Sequence, residues 1–189
     1  MTIKKLLIAN RGEIASRIIL SAHDMGISCV AIYTEADASS PYVRQSDQAY
    51  RLSDSYLNAK EIIEIAKNSG ADAVHPGYGF LSENASFANQ VKKAGIKWVG
   101  PSANAIKKMG DKLTAKELAE KTNVPTLPIT SDPKKADTIG YPILVKAAAG
   151  GGGKGMRIVK KAKDLKEAIK SAEREAEGGF GDKLSLIHI

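Results

Sequence analysis

Two kinds of apolar pattern alternate through the first hundred residues. Residues 5–9 and residues 28–34 are short, nearly continuous apolar runs, which are typical of strands covered on both faces. Between them lies an amphipathic pattern with a spacing of about 3.6 residues, whose apolar positions are Ile14, Ile18, Ile19, Ala22 and Met25. Gly26 follows as the expected end of this helix. The pattern therefore predicts a β-α-β unit with parallel strands.

The same alternation continues to about residue 100. It predicts further strands at 48–52, 71–75 and 97–99 and helices at 58–68 and 82–93. Asn58 and Ser82 are the expected N-caps of those helices, because their side chains can accept a hydrogen bond from a first-turn N–H. The polar stretch 35–47 predicts a loop with one helical turn. We therefore expect an open, mostly parallel, doubly wound α/β domain of the Rossmann-like class.

After residue 100 the elements become shorter. The predicted elements are helices at 103–109 and 112–121, strands at 142–146 and 155–159, and a helix at 164–177. Asp111 is the expected cap of the second of these helices, and the prolines of residues 124–133 predict a connection. We expect one domain at residues 1–121, an incomplete smaller unit at 122–183, and a separate tail at 184–189.

Composition narrows the class of protein. With 43% hydrophobic and 26% charged residues, the 189-residue chain is neither a disordered tail nor a collagen-like fibre nor a disulfide scaffold. Its longest apolar stretches are about five residues, whereas a membrane span needs about 20, and the N-terminus lacks a signal-peptide core. We therefore expect a cytoplasmic protein. The single cysteine, Cys29, is expected to be a buried strand residue without chemistry.

The formal net charge of +7 raises the question of an anionic partner. The lysines are spread over predicted helix surfaces among glutamates, and basic residues do not interleave with aromatic ones as in single-strand binders. Nucleic acid is therefore not expected. A small ligand that carries phosphate accounts for the charge more simply.

The glycine-rich segment 147–156 is the most informative local motif. Gly150, Gly152 and Gly155 satisfy G-x-G-x-x-G, but a strand rather than a helix follows, so the dinucleotide interpretation fails. The P-loop interpretation fails as well, because glycine stands where Ser or Thr must follow Gly-Lys. A glycine-rich flap between antiparallel strands remains, and such a flap can cover nucleotide phosphates beside Lys146. The alternative is a flexible hairpin with a solvated lysine.

Three other loops have the composition of ligand sites. The segment 75–84 follows a strand directly, and its glycines on either side of Tyr78 would admit a ligand; the alternative is a packed turn with a structural His75. The segment 10–13 has the same topological position. Lys112 begins a helix, which is unfavourable unless an anion lies nearby, so it is a second candidate phosphate contact.

Five motifs in order resemble those of one family. They are Ile8–Ala15 (IANRGEIA), His75–Asn84 (HPGYGFLSEN), Gly100–Ser102 (GPS), Met109–Lys112 (MGDK) and the glycine flap. Residues 1–183 resemble the N-terminal part of the biotin carboxylase component of biotin-dependent carboxylases, which include acetyl-CoA, propionyl-CoA, methylcrotonyl-CoA and pyruvate carboxylases. The ten-residue motif 75–84 is the most specific of the five.

The resemblance implies an ATP-grasp ligase. In that family ATP and bicarbonate give carboxyphosphate, two Mg²⁺ ions bridge the phosphates, and the carbon dioxide released is transferred to biotin on a carrier protein. It implies a pre-ATP-grasp domain followed by part of the ATP-grasp lid. It also implies partners, namely the biotin carboxyl carrier protein, a carboxyltransferase and a second copy of the chain.

The resemblance also implies roles for individual residues. The residues matched to ATP contacts are Lys112, Lys146, Gly150, Gly151, Gly152, Gly153, Gly155 and Met156. Tyr78 and Gly79 match the loop at the bicarbonate and biotin end of the cleft, and Arg17 matches a residue near the dimer contact. The family's metal-binding glutamates and bicarbonate-holding arginine belong to a C-terminal domain that residues 1–189 do not include. No catalytic or metal-binding residue is therefore expected here.

Some positions depart from the family pattern. Ala149 stands where many members have glycine, and Lys154 replaces a common arginine. The resemblance is lost at residues 184–189, which are expected to be a translated sequencing adapter, with a genuine strand as the alternative. Three interpretations follow: part of an ATP-dependent biotin carboxylase, part of another ATP-grasp ligase, or, for the isolated chain, a weak nucleotide-binding module without catalysis.

Overall fold

The computed structural model of the chain describes residues 2–110, 112–147, 156–180 and 185–188. They belong to two compact units, Met1–Gly110 and Asp111–Ile189. The strands of the first unit are β1 (Lys5–Ile8), β2 (Ser28–Tyr33), β3 (Gln48–Arg51), β4 (Ala73–His75) and β5 (Lys97–Trp98). Its helices are α1 (Gly12–Asp24), α2 (Pro41–Gln45), α3 (Ala59–Asn68), α4 (Ala85–Lys93) and α5 (Ala103–Gly110).

The first unit is built on a five-stranded sheet in the order β3-β2-β1-β4-β5. Every neighbouring pair in it is parallel, so the predicted α/β class with an open parallel sheet is confirmed. In the central strand, Leu7 lies opposite Val30 on one side and Val74 on the other. Leu7 and Ile8 are both fully buried, which accounts for the continuous apolar run that predicted this strand.

Alternate residues of the sheet point into two separate cores. Leu7, Val30 and Val74 pack with residues of α3 and α4. Leu6 and Ile8 pack on the opposite face with residues of α1 and α2. Helices therefore cover both faces, and the sheet is doubly wound.

The strand order reverses between β1 and β4. The chain runs outward from β1 through β2 to β3 and then returns to the other side of β1. In open α/β sheets the loops diverge at such a reversal and leave a crevice beyond the carboxyl ends of the strands. The loops that follow β1 and β4 are therefore the place to look for a site.

Two helix boundaries were predicted at the right residue and one was not. Asn58 caps α3, since its side chain accepts a hydrogen bond from the Glu61 N–H, and Gly26 follows α1 with a φ of +69°. The predicted cap at Ser82 is wrong, because Asn84 caps α4 instead. The Ser82 N–H donates to the Gly79 carbonyl at 2.9 Å, so Ser82 belongs to a turn that delays the helix.

The polar segment 35–47 is more ordered than its sequence indicated. It contains a 3₁₀ turn at Glu35–Asp37 as well as α2. Pro41 opens α2, a position where its missing N–H is harmless. Tyr42, in the same helix, is fully buried against the sheet, and this long-range packing is what the local pattern did not show.

The second unit is a four-stranded sheet with short helices. Its elements are α6 (Lys112–Lys121), β6 (Ile129–Thr130), α7 (Ala136–Ile139), β7 (Ile143–Ala147), β8 (Arg157–Val159), α8 (Leu165–Phe180) and β9 (Ser185–His188). The sheet order is β6-β9-β7-β8, and β7 and β8 pair antiparallel, as the flap interpretation predicted. Its core joins Ile143, Val145 and Val159 of the sheet to Leu165 and Ala172 of α8.

Three features of this unit differ from the predicted organisation. The segment predicted as a plain connection contains β6, and α7 was not predicted at all. Residues 185–188 form a strand that pairs with both β6 and β7, which agrees with the strand alternative for the tail. The contacts also place α6 in the second unit, whereas the predicted boundary placed it in the first.

Within the described ranges, no helix combines the length and the apolar character that crossing a lipid bilayer requires.

We predict that Phe87→Ala destabilises the chain by about 3–5 kcal/mol, the usual cost of deleting a buried aromatic ring. Phe87 is fully buried, and its ring meets the edge of Trp98 at a centroid distance of 5.5 Å. Urea unfolding measures the free energy. Leu20→Ala, at a side chain that is 58% exposed on α1, is the control and should change it by less than about 1 kcal/mol.

Candidate functional site

The candidate site of the first unit lies where the loops after β1 and β4 meet. Asn10 follows β1 and is fully buried. Its Nδ2 donates to the carbonyl of Pro76 at 2.8 Å and to the carbonyl of Tyr78 at 2.8 Å. Its Oδ1 accepts the N–H of Arg11 at 2.9 Å. A single side chain therefore joins the two loops that border the crevice.

The approach of these loops depends on Gly77. Its φ is +65°, a left-handed conformation that side chains rarely adopt. A Cβ at this position would lie 2.6 Å from Asn10 Nδ2 and 2.8 Å from Ile14 Cγ2. Glycine is thus required both by the backbone conformation and by the contact with Asn10.

The tip of the β4 loop projects into solvent. Tyr78 is 57% exposed and Phe80 is 43% exposed, so neither side chain belongs to the core. Gly79 has a φ of +70° and Phe80 a φ of +45°, so the backbone turns sharply here. The Tyr78 hydroxyl donates a hydrogen bond to Glu13 Oε1, in the first turn of α1.

His75 ends β4, from which this loop starts, and Arg17 lies on α1. Both line a cavity of about 240 Å³ between α1 and the edge of the sheet. His75 Nδ1 accepts the N–H of Gly77 at 2.9 Å, which orients the imidazole within its own loop. Burial, and secondly the charge of Arg17, lowers the pKa of His75. His75 is therefore held neutral and has a clear structural role.

A buried carboxylate supports the β1 loop from the other side. Asp37 is buried and accepts from Arg11 Nε at 2.6 Å, from Arg11 Nη2, and from the Tyr56 hydroxyl at 2.6 Å. Tyr56 in turn meets the buried Tyr42 hydroxyl at 3.0 Å, and its ring lies 5.2 Å from that of Phe80. This network connects the loop after β2 to both border loops.

Arg11 and Asp37 shift each other's pKa in this network. The hydrogen bonds from the Arg11 guanidinium hold the pKa of the Asp37 carboxyl below its ordinary value of 3.8. The same contact raises the pKa of Arg11. Desolvation, followed by the hydrogen bond with Tyr56, raises the pKa of Tyr42. At neutral pH the network holds the ion pair of Arg11 and Asp37 beside the neutral phenol of Tyr42.

Lys146 lies on one face of the sheet in the second unit. Ile143 and Val145 are buried against α8, so Leu144 and Lys146, which alternate with them, belong to the opposite face. Ile158 pairs with Leu144 on that same face and is 72% exposed. Met156, 43% exposed, directly precedes β8. A lysine with exposed apolar neighbours is a surface suited to a ligand with a flat apolar part and an anionic part.

Several predicted site residues fall outside the described part of the chain. The flap glycines Gly150, Gly151, Gly152, Gly153 and Gly155 lie outside the described residues. Lys112 begins α6, as predicted, but only its backbone is described. Among the predicted residues, the structure brings Tyr78, Gly79 and Arg17 together at one edge of the first unit.

The sequence analysis did not predict that Asn10 joins the loops after β1 and β4, or that Asp37 supports the β1 loop through Arg11. Both follow buried strands, and polar residues at the carboxyl ends of neighbouring parallel strands converge at one edge of a sheet. That signal was available for Asn10. For Asp37 it was obscured, because nothing local separates it from the other polar residues of segment 35–47.

The fold and the loops define a two-unit α/β protein: a doubly wound parallel domain with a glycine-containing loop at its strand reversal, and an antiparallel sheet with a strand lysine. The family described as "Biotin carboxylase, N-terminal domain" matches residues 2–106. The "Carbamoyl-phosphate synthase L chain, ATP binding domain" family matches residues 104–188. The chain belongs to the biotin carboxylase family.

Curated relatives agree with this assignment. The chain is similar to the mitochondrial methylcrotonoyl-CoA carboxylase subunit alpha of Dictyostelium discoideum, with 46% identity over 98% of this chain and 28% of the relative. It is equally similar, at 46% identity, to biotin carboxylase 1 of Bacillus subtilis, over 95% of this chain and 43% of the relative. The chain thus spans less than half the length of these proteins.

Solved structures show the same similarity. The biotin carboxylase domain of Hydrogenobacter thermophilus 2-oxoglutarate carboxylase, a dimer in complex with MgADP, ADP and bicarbonate, matches with a TM-score of 0.94 and 41% identity over 100% of this chain and 44% of its own. The Campylobacter jejuni biotin carboxylase, in a β-γ-ATP complex, matches with a TM-score of 0.94 and 43% identity over 99% of this chain and 45% of its own.

We predict that Asn10→Ala lowers the free energy of unfolding by about 2–4 kcal/mol, because two loop carbonyls and one N–H lose a buried partner. Asn10→Asp should cost a comparable amount, since it keeps the size but replaces the donor with a carboxylate that repels both carbonyls. Urea unfolding measures both. Asn68→Ala, at an exposed position, is the control; equal effects of Asn10→Ala and Asn68→Ala would contradict the linking role.

We also predict a pH dependence that comes from Asp37. Its pKa is lowered in the folded chain, so its contribution to stability is fully present well above pH 3.8 and is lost as the pH falls towards the folded pKa. The free energy of unfolding should therefore decline below about pH 5. Asp37→Asn should make this decline shallower, although Asp47, whose pKa is also lowered, keeps part of it.

The measurement is urea unfolding at a series of pH values between about 3 and 7, a range chosen to bracket the ordinary carboxyl pKa. The exposed Asp54→Asn is the matched control. An unchanged slope in Asp37→Asn would show that the ion pair with Arg11 does not contribute to acid stability.

Proposed function

We propose that residues 1–189 form the N-terminal part of an ATP-dependent biotin carboxylase. In this reaction bicarbonate attacks the γ-phosphate of ATP to give carboxyphosphate and ADP, and the carboxyl group is then transferred to biotin on a carrier protein. The observation that carries the proposal is the match along the whole chain, at 41% identity, to a biotin carboxylase domain in complex with MgADP and bicarbonate.

We assign contacts to bicarbonate and biotin to the first unit. Tyr78 and Gly79 lie on the exposed loop at the strand reversal, where open α/β sheets bind ligands. Asn10 fixes the loop to β1, and Glu13 fixes the Tyr78 hydroxyl. A pre-positioned loop lowers the ordering cost when the substrate binds.

The second unit supplies contacts to ATP. Lys146 supplies a positive charge for the phosphates, and Met156, together with the exposed Ile158, supplies an apolar surface for the base. Lys112 and the flap glycines 150–153 and 155 complete the phosphate contacts. These contacts would act electrostatically, because phosphoryl transfer depends on positioning the phosphates and on neutralising their charge.

Magnesium is expected with ATP, as the MgADP complex of the Hydrogenobacter domain supports. The described residues do not offer a carboxylate set for it: the one group of three potential metal ligands among them is His23, Cys29 and Asp47, at the opposite edge of the first sheet. We assign the magnesium ligands and the catalytic residues to the ATP-grasp domain that follows in the longer relatives.

The partners follow from the same assignment. The carboxylated product is a biotinyl carrier protein, which passes the group to a carboxyltransferase. The Hydrogenobacter domain is a dimer, and Arg17 is the residue of this chain that we place near the equivalent contact. Residues 1–189 alone are expected to bind nucleotide weakly and not to catalyse the reaction.

We predict that the 189-residue chain binds MgADP and that Lys146→Ala weakens this binding about tenfold or more, because charged hydrogen bonds to an anion contribute about 1.5–3 kcal/mol. Isothermal titration calorimetry measures the affinity. Lys160→Ala, which removes an exposed lysine of the same unit, is the matched control. Equal affinities for Lys146→Ala and the parent chain would remove Lys146 from the site.

A second assay tests catalysis. Bicarbonate-dependent ATP hydrolysis should be absent from the pure 189-residue chain and present in the full-length product of its source gene with biotin as acceptor. Bicarbonate-dependent hydrolysis by the 189-residue chain, abolished by Lys146→Ala, would contradict the assignment of the catalytic residues to the following domain.

A second candidate function has one observation in its favour. The second unit matches the ATP-binding domain of the carbamoyl-phosphate synthase large chain, which leaves another ATP-grasp ligase as the alternative. The full-length protein distinguishes the two: biotin as the acceptor supports a carboxylase, whereas ATP turnover that responds to ammonia and not to biotin supports a carbamoyl-phosphate synthase.

A further inference from the structure

A cluster of potential metal ligands lies at the edge of the first sheet opposite the candidate site. His23 is in the last turn of α1, Cys29 is near the start of β2, and Asp47 directly precedes β3. One ligand atom from each lies within 4.8 Å of the other two. Because β2 and β3 are parallel, their starts lie at the amino edge, whereas the loops of the candidate site follow the carboxyl ends.

Three hydrogen bonds hold the residues together, and two of them involve the main chain of Cys29. The Cys29 N–H donates to Asp47 Oδ2 at 2.7 Å, and the Asp47 N–H donates to the Cys29 carbonyl at 3.1 Å. His23 Nε2 lies 3.0 Å from the same Asp47 oxygen. The cluster therefore depends on the register of β2 and β3 and on the end of α1, not on mobile surface side chains alone.

We propose that His23, Cys29 and Asp47 bind one divalent transition-metal ion of the zinc type. A thiolate, an imidazole and a carboxylate form a ligand set that zinc accepts, whereas Mg²⁺ and Ca²⁺ prefer oxygen ligands only. This site is independent of the proposed carboxylase function.

The distances are compatible with one ion. Ligand atoms on a tetrahedral zinc lie about 3.5 Å apart, given metal bonds of about 2.0–2.3 Å. Every pair of ligand atoms here lies within 4.8 Å, so binding one ion requires a contraction of at most about 1 Å. The ion would take the place of the hydrogen bond between His23 Nε2 and Asp47 Oδ2.

The proposed metal site is buried on the Cys29 side and open to solvent on the side of His23 and Asp47. Cys29 is fully buried, whereas the His23 and Asp47 side chains are 39% and 48% exposed. The exposed side gives the ion an entry path and a position for water as fourth ligand. Burial, with the charge of Asp47, raises the pKa of the Cys29 thiol to about 11. On binding, the S–H bond breaks, the proton goes to solvent, and the sulfur donates an electron pair to the metal.

The test is a Co²⁺ titration of the 189-residue chain, followed by competition with Zn²⁺. The chain has one cysteine, so a thiolate-to-cobalt charge-transfer band in the near ultraviolet reports Cys29 alone. We expect a band that saturates at one equivalent and is lost on addition of Zn²⁺. The absence of a band, or saturation at one metal for two chains, would overturn the proposal.

Variants identify the other ligands. His23→Gln, at an exposed position that should not disturb folding, is expected to weaken Co²⁺ binding at least tenfold, and Cys29→Ser to abolish the band. Two variants are controls: Asp24→Asn changes a carboxylate next to His23, and His75→Gln changes a histidine at the other edge of the sheet. Both should keep the affinity for Co²⁺ within twofold of that of the parent chain. Unchanged binding in His23→Gln would overturn the site.

A stability measurement provides an independent readout. A ligand that binds the folded chain raises its thermal midpoint, so Zn²⁺ should raise the midpoint of the parent chain and of Asp24→Asn but not that of His23→Gln. An equal rise in all three would show that zinc binds elsewhere.

Discussion

The buried carboxamide of Asn10 is the contact on which the arrangement of the candidate site depends. It satisfies two carbonyls of a loop that is more than sixty residues away in the chain. The side-chain amide of Asn10 is fully buried and therefore needs hydrogen-bond partners within the protein. Because β1 and β4 are neighbours, the loop after β4 supplies these partners. The exposed tip with Tyr78 is therefore presented by a rigid base.

The polar network around Asp37 extends this constraint across the sheet. Arg11 leaves the β1 loop and pairs with Asp37 after β2, while Tyr56 joins the pair and contacts Phe80 after β4. Both carboxylate oxygens of Asp37 accept hydrogen bonds, which makes the burial of this charge tolerable. The edge that holds the candidate ligand loops is thus tied to three strands, whereas the His23, Cys29 and Asp47 cluster belongs to the opposite edge.

Sequence patterns predicted most elements of the first unit but not all of their ends. Asn58 was found because a cap acts over three residues, within the range of a local motif. Asn84 was missed in favour of Ser82, because the turn at Gly79–Ser82 depends on how the β4 loop crosses the sheet. In the second unit β6 was missed because its two residues become a strand only by pairing with β9, far along the chain.

The sequence by itself determined the class of fold, the alternation of strands and helices, and, through motifs such as residues 75–84, the family. These are properties of residues close together in the chain, where periodicity and steric preference act directly. The tertiary structure alone decided that Asn10 joins two loops, that Asp37 supports them, and that His23 and Cys29 meet Asp47. Such contacts depend on strand order and register, which bring distant residues within hydrogen-bonding distance and which no local pattern encodes.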